Sequence, residues 1–162
     1  MILGAFTLFH VILSLIGIGS GLVVAFGFLT SKRLDGWTTL FLTTTIATSV
    51  TGFLFPFHGV TPGIVLGVLS LIVLLLAIVA RYRYHLAGGW RRAYVISTVM
   101  ALYFNVFVLV AQLFEKVPAL KALAPTRSEP PFQLTELVVL VLFVALGIRA
   151  TMKFHSTLAQ TA

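Results

Sequence analysis

Five long, nearly uninterrupted apolar segments constrain this chain more than any other feature of its sequence. They cover roughly residues 2–29, 37–57, 62–79, 93–114 and 132–152. An α-helix needs about 20 mostly apolar residues to cross the hydrocarbon core of a bilayer. Strands of a membrane barrel would alternate apolar and polar residues, whereas residues 71–76 are aliphatic without a break. The sequence therefore predicts an all-α, polytopic integral membrane helix bundle with five transmembrane helices, in a single domain covering residues 1–162.

The composition excludes several other classes of protein. Of the 162 residues 59% are hydrophobic and only 9% are charged, against about 25% charged in soluble domains. Polar residues are too few to cover a soluble fold or to keep a chain disordered. The absence of cysteine excludes disulfides, thiolate metal sites, iron–sulfur clusters and covalent haem attachment. The chain also lacks a phosphate-binding glycine loop, a zinc-protease helix and a nucleophile elbow, so no enzyme activity is expected.

Lysine and arginine residues predict the orientation of the helices. The connections after the first and third segments and the C-terminal end carry 8 of the 11 basic residues: Lys32, Arg33, Arg81, Arg83, Arg91, Arg92, Arg149 and Lys153. The positive-inside rule places such residues in the cytoplasm. We therefore expect the inner (plasma) membrane, an N-terminus outside and a cytoplasmic C-terminus. The net charge of +7 then indicates contact with anionic lipids of the bilayer and not with nucleic acid.

Small and hydroxyl-bearing residues predict how the helices pack. Helices in membranes associate through small residues that let backbones approach closely. Gly17 and Gly21 form one such pair, Gly63 and Gly67 another, and both are expected to serve packing within the chain. The second segment is rich in threonine, whose hydroxyls can donate to carbonyls one turn back, so that segment need not line a pore.

Four polar residues within the segments are the candidate functional residues. We predict that His10, Asn105, Gln112 and Glu136 form one interior polar cluster in the outer half of the membrane, with His58 at its mouth. Polar and ionisable residues at such depth are costly and therefore mark functional sites. The alternative is structural, because His10, Asn105 and Gln112 could simply form hydrogen bonds between helices and Glu136 could favour the positive end of its helix.

Two cofactor or transport alternatives follow from the same residues. Haem b needs imidazole ligands on facing helices, which His10 and His58 would supply, while His85 and His155 lie beyond the predicted helix ends. Without haem, no cofactor is expected. A proton or small-solute transporter would use His10 and Glu136 as exchanging groups, although the inner half offers no matching buried acid or base.

The connection formed by residues 115–131 is long enough to have a role of its own. Residues 117–124 can lie at the outer interface as a short amphipathic turn, and the proline-containing residues 125–131 form a stiff return. This connection could bind a membrane protein partner, or it could be a passive lid that holds the flanking helices together.

Residues 105–108 (Asn-Val-Phe-Val) and 112–118 (Gln-Leu-Phe-Glu-Lys-Val-Pro) resemble small uncharacterised bacterial multi-span membrane proteins. This resemblance implies no particular activity and no site residues. The sequence as a whole favours a non-catalytic membrane component or accessory subunit over the haem and transport alternatives.

Overall fold

The computed structural model describes residues 2–56 and 58–161, and the side chains of these residues up to 154. Within these residues the chain forms helices and turns, without a strand. The six α-helices are α1 (Ile2–Leu29), α2 (Asp35–Gly52), α3 (Pro62–Ile78), α4 (Trp90–Lys116), α5 (Pro118–Leu123) and α6 (Pro130–Thr161). The all-α fold that the sequence predicts is therefore confirmed.

Proline and threonine residues set several of the helix ends. The Thr61 hydroxyl accepts a hydrogen bond from the amide of Ile64 at 3.3 Å and so caps α3. Helices α5 and α6 both begin with proline, which has no amide hydrogen to leave unsatisfied. The second segment was predicted to continue to residue 57, but α2 ends at Gly52. Pro56 accounts for the early end, because proline and the residue before it both disfavour helix.

The third segment continues beyond its predicted end at residue 79. After α3 the chain forms one π turn, Val79–Arg83, in which the amide of Tyr84 donates to the carbonyl of Val79. Arg81 was expected in the following connection. Instead it lies in this turn and is buried, with 6% of its surface exposed. Polar residues also extend α4 and α6 beyond the predicted 93–114 and 132–152, since backbone hydrogen bonding does not require apolar side chains.

Helix α4 lies at the centre of the bundle. Contacts join α1 to α2, α2 to α3, α3 to α4 and α4 to α1, so that these four helices form a closed ring. Helix α6 packs outside the ring against α1 and α4, and α5 contacts α4. We call the end of the bundle that holds residues 30–34, 79–90 and 154 the basic end. The opposite end holds residues 53–61 and 117–129.

The largest buried side chains concentrate towards the basic end. The Phe28 ring contacts the rings of Tyr94 and Phe154 edge-on, with centroids 5.5 Å and 4.9 Å apart. These three residues join the end of α1, the start of α4 and the later part of α6. Phe41 of α2 and Leu74 of α3 are buried in the same core. The largest buried side chains thus lie mainly towards the end that holds the basic residues.

Four helical stretches of the described chain are long and apolar enough to cross a membrane: Ile2–Leu29, Pro62–Arg83, Trp90–Lys116 and Pro130–Phe154. Helix α2 is not one of the four, because its 18 residues include seven threonines and an aspartate. Its threonine hydroxyls bond to carbonyls one turn back, as predicted: Thr44 to Leu40, Thr48 to Thr44 and Thr51 to Ala47, each at 2.7 Å.

Three of the four paired glycines, Gly17, Gly21 and Gly67, pack against other parts of the chain as their spacing predicts, whereas a Cβ on Gly63 would meet only the nearby Thr61 hydroxyl, at 3.7 Å. A Cβ added to Gly21 would lie 2.6 Å from Leu102 Cδ1 and 2.9 Å from the Phe41 ring. A Cβ on Gly67 would lie 2.9 Å from the Phe53 ring. Gly21 therefore permits the close approach of α1 to α2 and α4, and Gly67 permits that of α3 to the end of α2.

Candidate functional site

Asn105 lies where three helices meet. Its side-chain nitrogen donates to the Thr45 hydroxyl at 3.4 Å, and a Cβ on Gly17 would lie 3.4 Å from the same nitrogen. Asn105 is buried, with 8% of its surface exposed. The absence of a side chain at Gly17 lets the amide of α4 reach the hydroxyl of α2 past α1. This hydrogen bond links α4 to α2, and Gly17 of α1 packs beside it.

His10 joins α1 to α2 nearer the opposite end. Its Nδ1 lies 2.8 Å from the Thr51 hydroxyl, and the Phe55 ring contacts the imidazole edge-on at 5.1 Å. The Thr51 hydroxyl also lies 2.7 Å from the Ala47 carbonyl, which can only accept. Both contacts are satisfied when the hydroxyl donates to this carbonyl and Nδ1–H of His10 donates to the hydroxyl. The neutral imidazole then keeps Nε2 as an acceptor.

Glu136 lies in the seam between α6 and α4. Residues 136, 143, 147 and 154 share one face of α6 at 100° per residue, and Phe143 contacts Tyr103 of α4 with ring centroids 5.6 Å apart. Only 8% of the surface of Glu136 is exposed. Neither of its carboxyl oxygens has a hydrogen-bond partner among the described residues. A buried carboxyl without a partner is costly and is most often kept for function.

The predicted cluster is distributed over separate places in the bundle. Gln112 is half-buried and His58 is exposed. No hydrogen bond within residues 2–56 and 58–154 joins any two of His10, Asn105, Gln112 and Glu136. Asn105 faces α1 and α2, whereas Tyr103, two residues earlier on α4, faces α6 on the other side of the helix. The structure therefore brings Asn105 and His10 to the α1–α2 side and Glu136 to the α4–α6 side.

The residues proposed for haem have different surroundings. His10 contacts Thr51 and Phe55, while His58 lies exposed in the connection between α2 and α3. The side chain of His155 lies outside the described residues. Within the part of the chain that the structure describes, no group of three or more histidine, aspartate or glutamate side chains could hold a metal ion.

A buried cation at the basic end was not predicted. The Arg81 guanidinium contacts the Asp35 carboxylate, donates to the Tyr94 hydroxyl at 3.2 Å and lies 5.5 Å from the centres of the Tyr82 and Tyr94 rings. It links the π turn after α3 to α2 and α4. One signal in the sequence could have found it, because Asp35 is the only acidic residue near eight basic ones.

Side-chain contacts connect several residues of the segment between α4 and α6. Helix α5 has no buried residue, but Arg127 forms an ion pair with Glu115 at 3.2 Å. The Glu129 carboxylate accepts hydrogen bonds from the Thr126 hydroxyl at 2.7 Å and the Thr126 amide at 3.2 Å. These bonds lower the pKa of Glu129 below its usual value, because they stabilise the ionised carboxyl. The amphipathic turn predicted for residues 117–124 is thus a short helix, α5, whose flanking residues form the ion pair and the hydrogen bonds.

The four long apolar helices indicate a membrane protein. Comparison of the chain with models of protein families, with curated proteins and with solved structures finds no match.

Proposed function

We propose that the protein is a non-catalytic component of the inner membrane that assembles with a membrane protein partner through residues 115–131. The observation that carries this proposal is helix α5. It presents apolar side chains to its surroundings, with Leu123 57% exposed and the adjoining Val117 37% exposed. The Arg127–Glu115 ion pair joins the two segments that flank α5, and the Glu129 hydrogen bonds fold the turn that follows it. An ordered, exposed helix with apolar residues suits recognition by another protein better than a passive lid does.

A site-specific crosslink tests this role. A photoreactive amino acid at position 123 is expected to crosslink one protein in native membranes. Position 60 is the matched control, because Val60 is 82% exposed in the connection between α2 and α3 at the same end of the bundle. Replacement of residues 117–129 by a flexible linker of equal length is expected to abolish copurification of the crosslinked protein.

Two results would contradict the partner role. Crosslinks from position 123 to lipid alone would show that α5 lies on the membrane surface without a partner. Equal recovery of the same protein by the chain with the flexible linker would show that binding does not need α5.

We further propose that α2 is the fifth transmembrane helix and that the basic end faces the cytoplasm. Helix α2 spans about 27 Å at 1.5 Å per residue, close to the roughly 30 Å of the hydrocarbon core. It lies between α1 and α3 in the ring, and its threonine hydroxyls are bonded within the helix. Both features lower the cost of placing it in lipid.

The carboxyl of Glu136, which has no hydrogen-bond partner within the described residues, favours a second candidate function, the transport of protons or a small solute. His10 and Glu136 would be the exchanging groups, one on each side of α4. Proteoliposomes with the unaltered chain are then expected to conduct protons or solute, and the double variant His10→Ala, Glu136→Gln is expected to lose this flux. Flux that does not change in the double variant would reject this candidate.

A further inference from the structure

A groove runs along the surface between α4 and α6 at the half of the bundle nearer the basic end. Its volume is about 770 Å³, within the range of ligand sites in proteins. The wall on α4 includes Ile96 and Met100, and the wall on α6 includes Val144 and Ile148. Gly147 forms its floor, where a Cβ would lie 3.7 Å from Val99. The absence of a side chain at Gly147 keeps the groove deep.

The polar end of this groove is basic. Arg92 lines it where α4 begins, and within the described chain Arg92 has no ion-pair partner. Helix α4 also lacks a side-chain cap at its N-terminus, where the helix dipole favours an anion. An anionic group at this place would meet the Arg92 guanidinium and the N-terminus of α4.

The length of the groove matches one leaflet of a bilayer. From Arg92 to Tyr103 along α4, and from Leu140 to Met152 along α6, it extends about 17–18 Å at 1.5 Å per residue. Half of the hydrocarbon core is about 15 Å thick. A chain of methylene groups whose head lies at Arg92 would therefore reach as far as Tyr103.

We propose that this groove is a binding site for an anionic phospholipid of the leaflet at the basic end. The phosphate lies against Arg92, where a guanidinium can form two parallel hydrogen bonds to it, and one acyl chain lies in the groove over Gly147. Basic pockets between membrane helices are suited to such headgroups. The site does not depend on α5 or on the partner proposed for it.

Native mass spectrometry from nanodiscs tests the site. The discs hold equal amounts of phosphatidylglycerol and phosphatidylethanolamine with the same acyl chains. The unaltered protein is expected to keep one phosphatidylglycerol in preference to phosphatidylethanolamine. The variant Arg92→Gln is expected to lower this preference about fivefold, since each basic residue near an anionic headgroup contributes about that factor. Arg83→Gln is the matched control, because Arg83 is exposed at the same end and lies outside the groove.

A second pair of variants tests the acyl chain. Gly147→Leu fills the groove without changing the charge and is expected to remove bound lipid of both kinds. Gly19→Leu is its control, because no atom lies within 4 Å of a Cβ at the exposed Gly19 of α1. Equal retention of the two lipids by the unaltered protein, or the same result for Arg92→Gln and Arg83→Gln, would overturn the proposal. A dimer mass that Gly147→Leu abolishes would instead assign the groove to a second copy of the chain.

Discussion

Glu136 is the residue whose position most needs an explanation, because of its carboxyl. It is buried against α4 without a hydrogen-bond partner among residues that the structure describes, so it weakens the fold unless something else uses it. A buried polar group left unsatisfied costs about 1–3 kcal/mol. This cost is what makes Glu136 a functional candidate. Asn105 and His10 also have structural roles, because they form hydrogen bonds with Thr45 and Thr51.

We expect Glu136→Leu to stabilise the purified protein in detergent by about 1–3 kcal/mol, because it removes the unsatisfied carboxyl and keeps a side chain of similar size. Thermal unfolding followed by circular dichroism measures the change. Glu115→Gln is the control, since its exposed ion pair with Arg127 contributes at most about 1 kcal/mol. A lower stability of Glu136→Leu would mean that the carboxyl has a stabilising partner.

Arg81 is a contrasting case, because its buried guanidinium contacts the Asp35 carboxylate and the Tyr94 hydroxyl, although its Nε has no hydrogen-bond partner within the described residues. We expect Arg81→Met to destabilise the protein by about 1.5–3 kcal/mol, the range for a hydrogen bond to a charged group. Arg83→Met, in the same π turn but exposed, is expected to change stability by less than about 0.5 kcal/mol. The same detergent melts compare the two variants, and equal effects would contradict a special role for Arg81.

At the scale of whole helices, the packing of α1 depends on which glycine faces a neighbour. Gly19 and Gly21 are two residues apart and therefore face different sides of the helix. A Cβ at Gly21 would meet Leu102 and Phe41 at 2.6–2.9 Å, whereas a Cβ at Gly19 would meet nothing within 4 Å. The spacing of small residues in the sequence marked the packed face correctly, because close helix approach requires small residues whatever the partner.

We expect Gly21→Ala to destabilise the bundle by about 1–3 kcal/mol through overpacking. Gly19→Ala is expected to be neutral or to gain up to about 1 kcal/mol, since alanine has the higher helix propensity. Unfolding of the two purified variants in one detergent gives the comparison. Similar melting temperatures for both would show that α1 does not pack on α2 and α4 as closely as described.

At the scale of the whole molecule, the orientation can be measured directly because the chain has no cysteine. Single variants Val60→Cys, Leu123→Cys, Arg33→Cys and Arg83→Cys add one thiol each at exposed positions. A maleimide that cannot cross membranes is expected to label positions 60 and 123 in intact cells and positions 33 and 83 only after lysis.

Two labelling patterns would contradict the proposed topology. Labelling of only positions 33 and 83 in intact cells would show that the chain has the reverse orientation. Labelling of positions 33 and 60 together would show that α2 does not cross the membrane, because these positions lie on either side of it.

The sequence by itself determined the helical class and the approximate positions of the helices, although four and not five helical stretches of the described chain are long and apolar enough to cross a membrane. It could do so because hydropathy, proline positions and small-residue spacing act locally along each helix. It could not determine where α2 ends as a helix, since Pro56 lies inside an otherwise apolar run. It also placed Arg81 in a connection, because local polarity does not reveal that Asp35 and Tyr94 lie beside it.

Only the tertiary structure decided which polar residues meet. Depth along each helix predicted one cluster of His10, Asn105, Gln112 and Glu136, but the rotation of each helix about its axis decides which side chains face each other. The rotation of α4 about its axis directs Asn105 towards α1 and α2. Helix α6, which carries Glu136, packs against the other side of α4. The same rotation places Gly147 opposite Val99 and so forms the groove between α4 and α6. Pairings between distant residues depend on packing, and hydropathy along the chain carries little information about them.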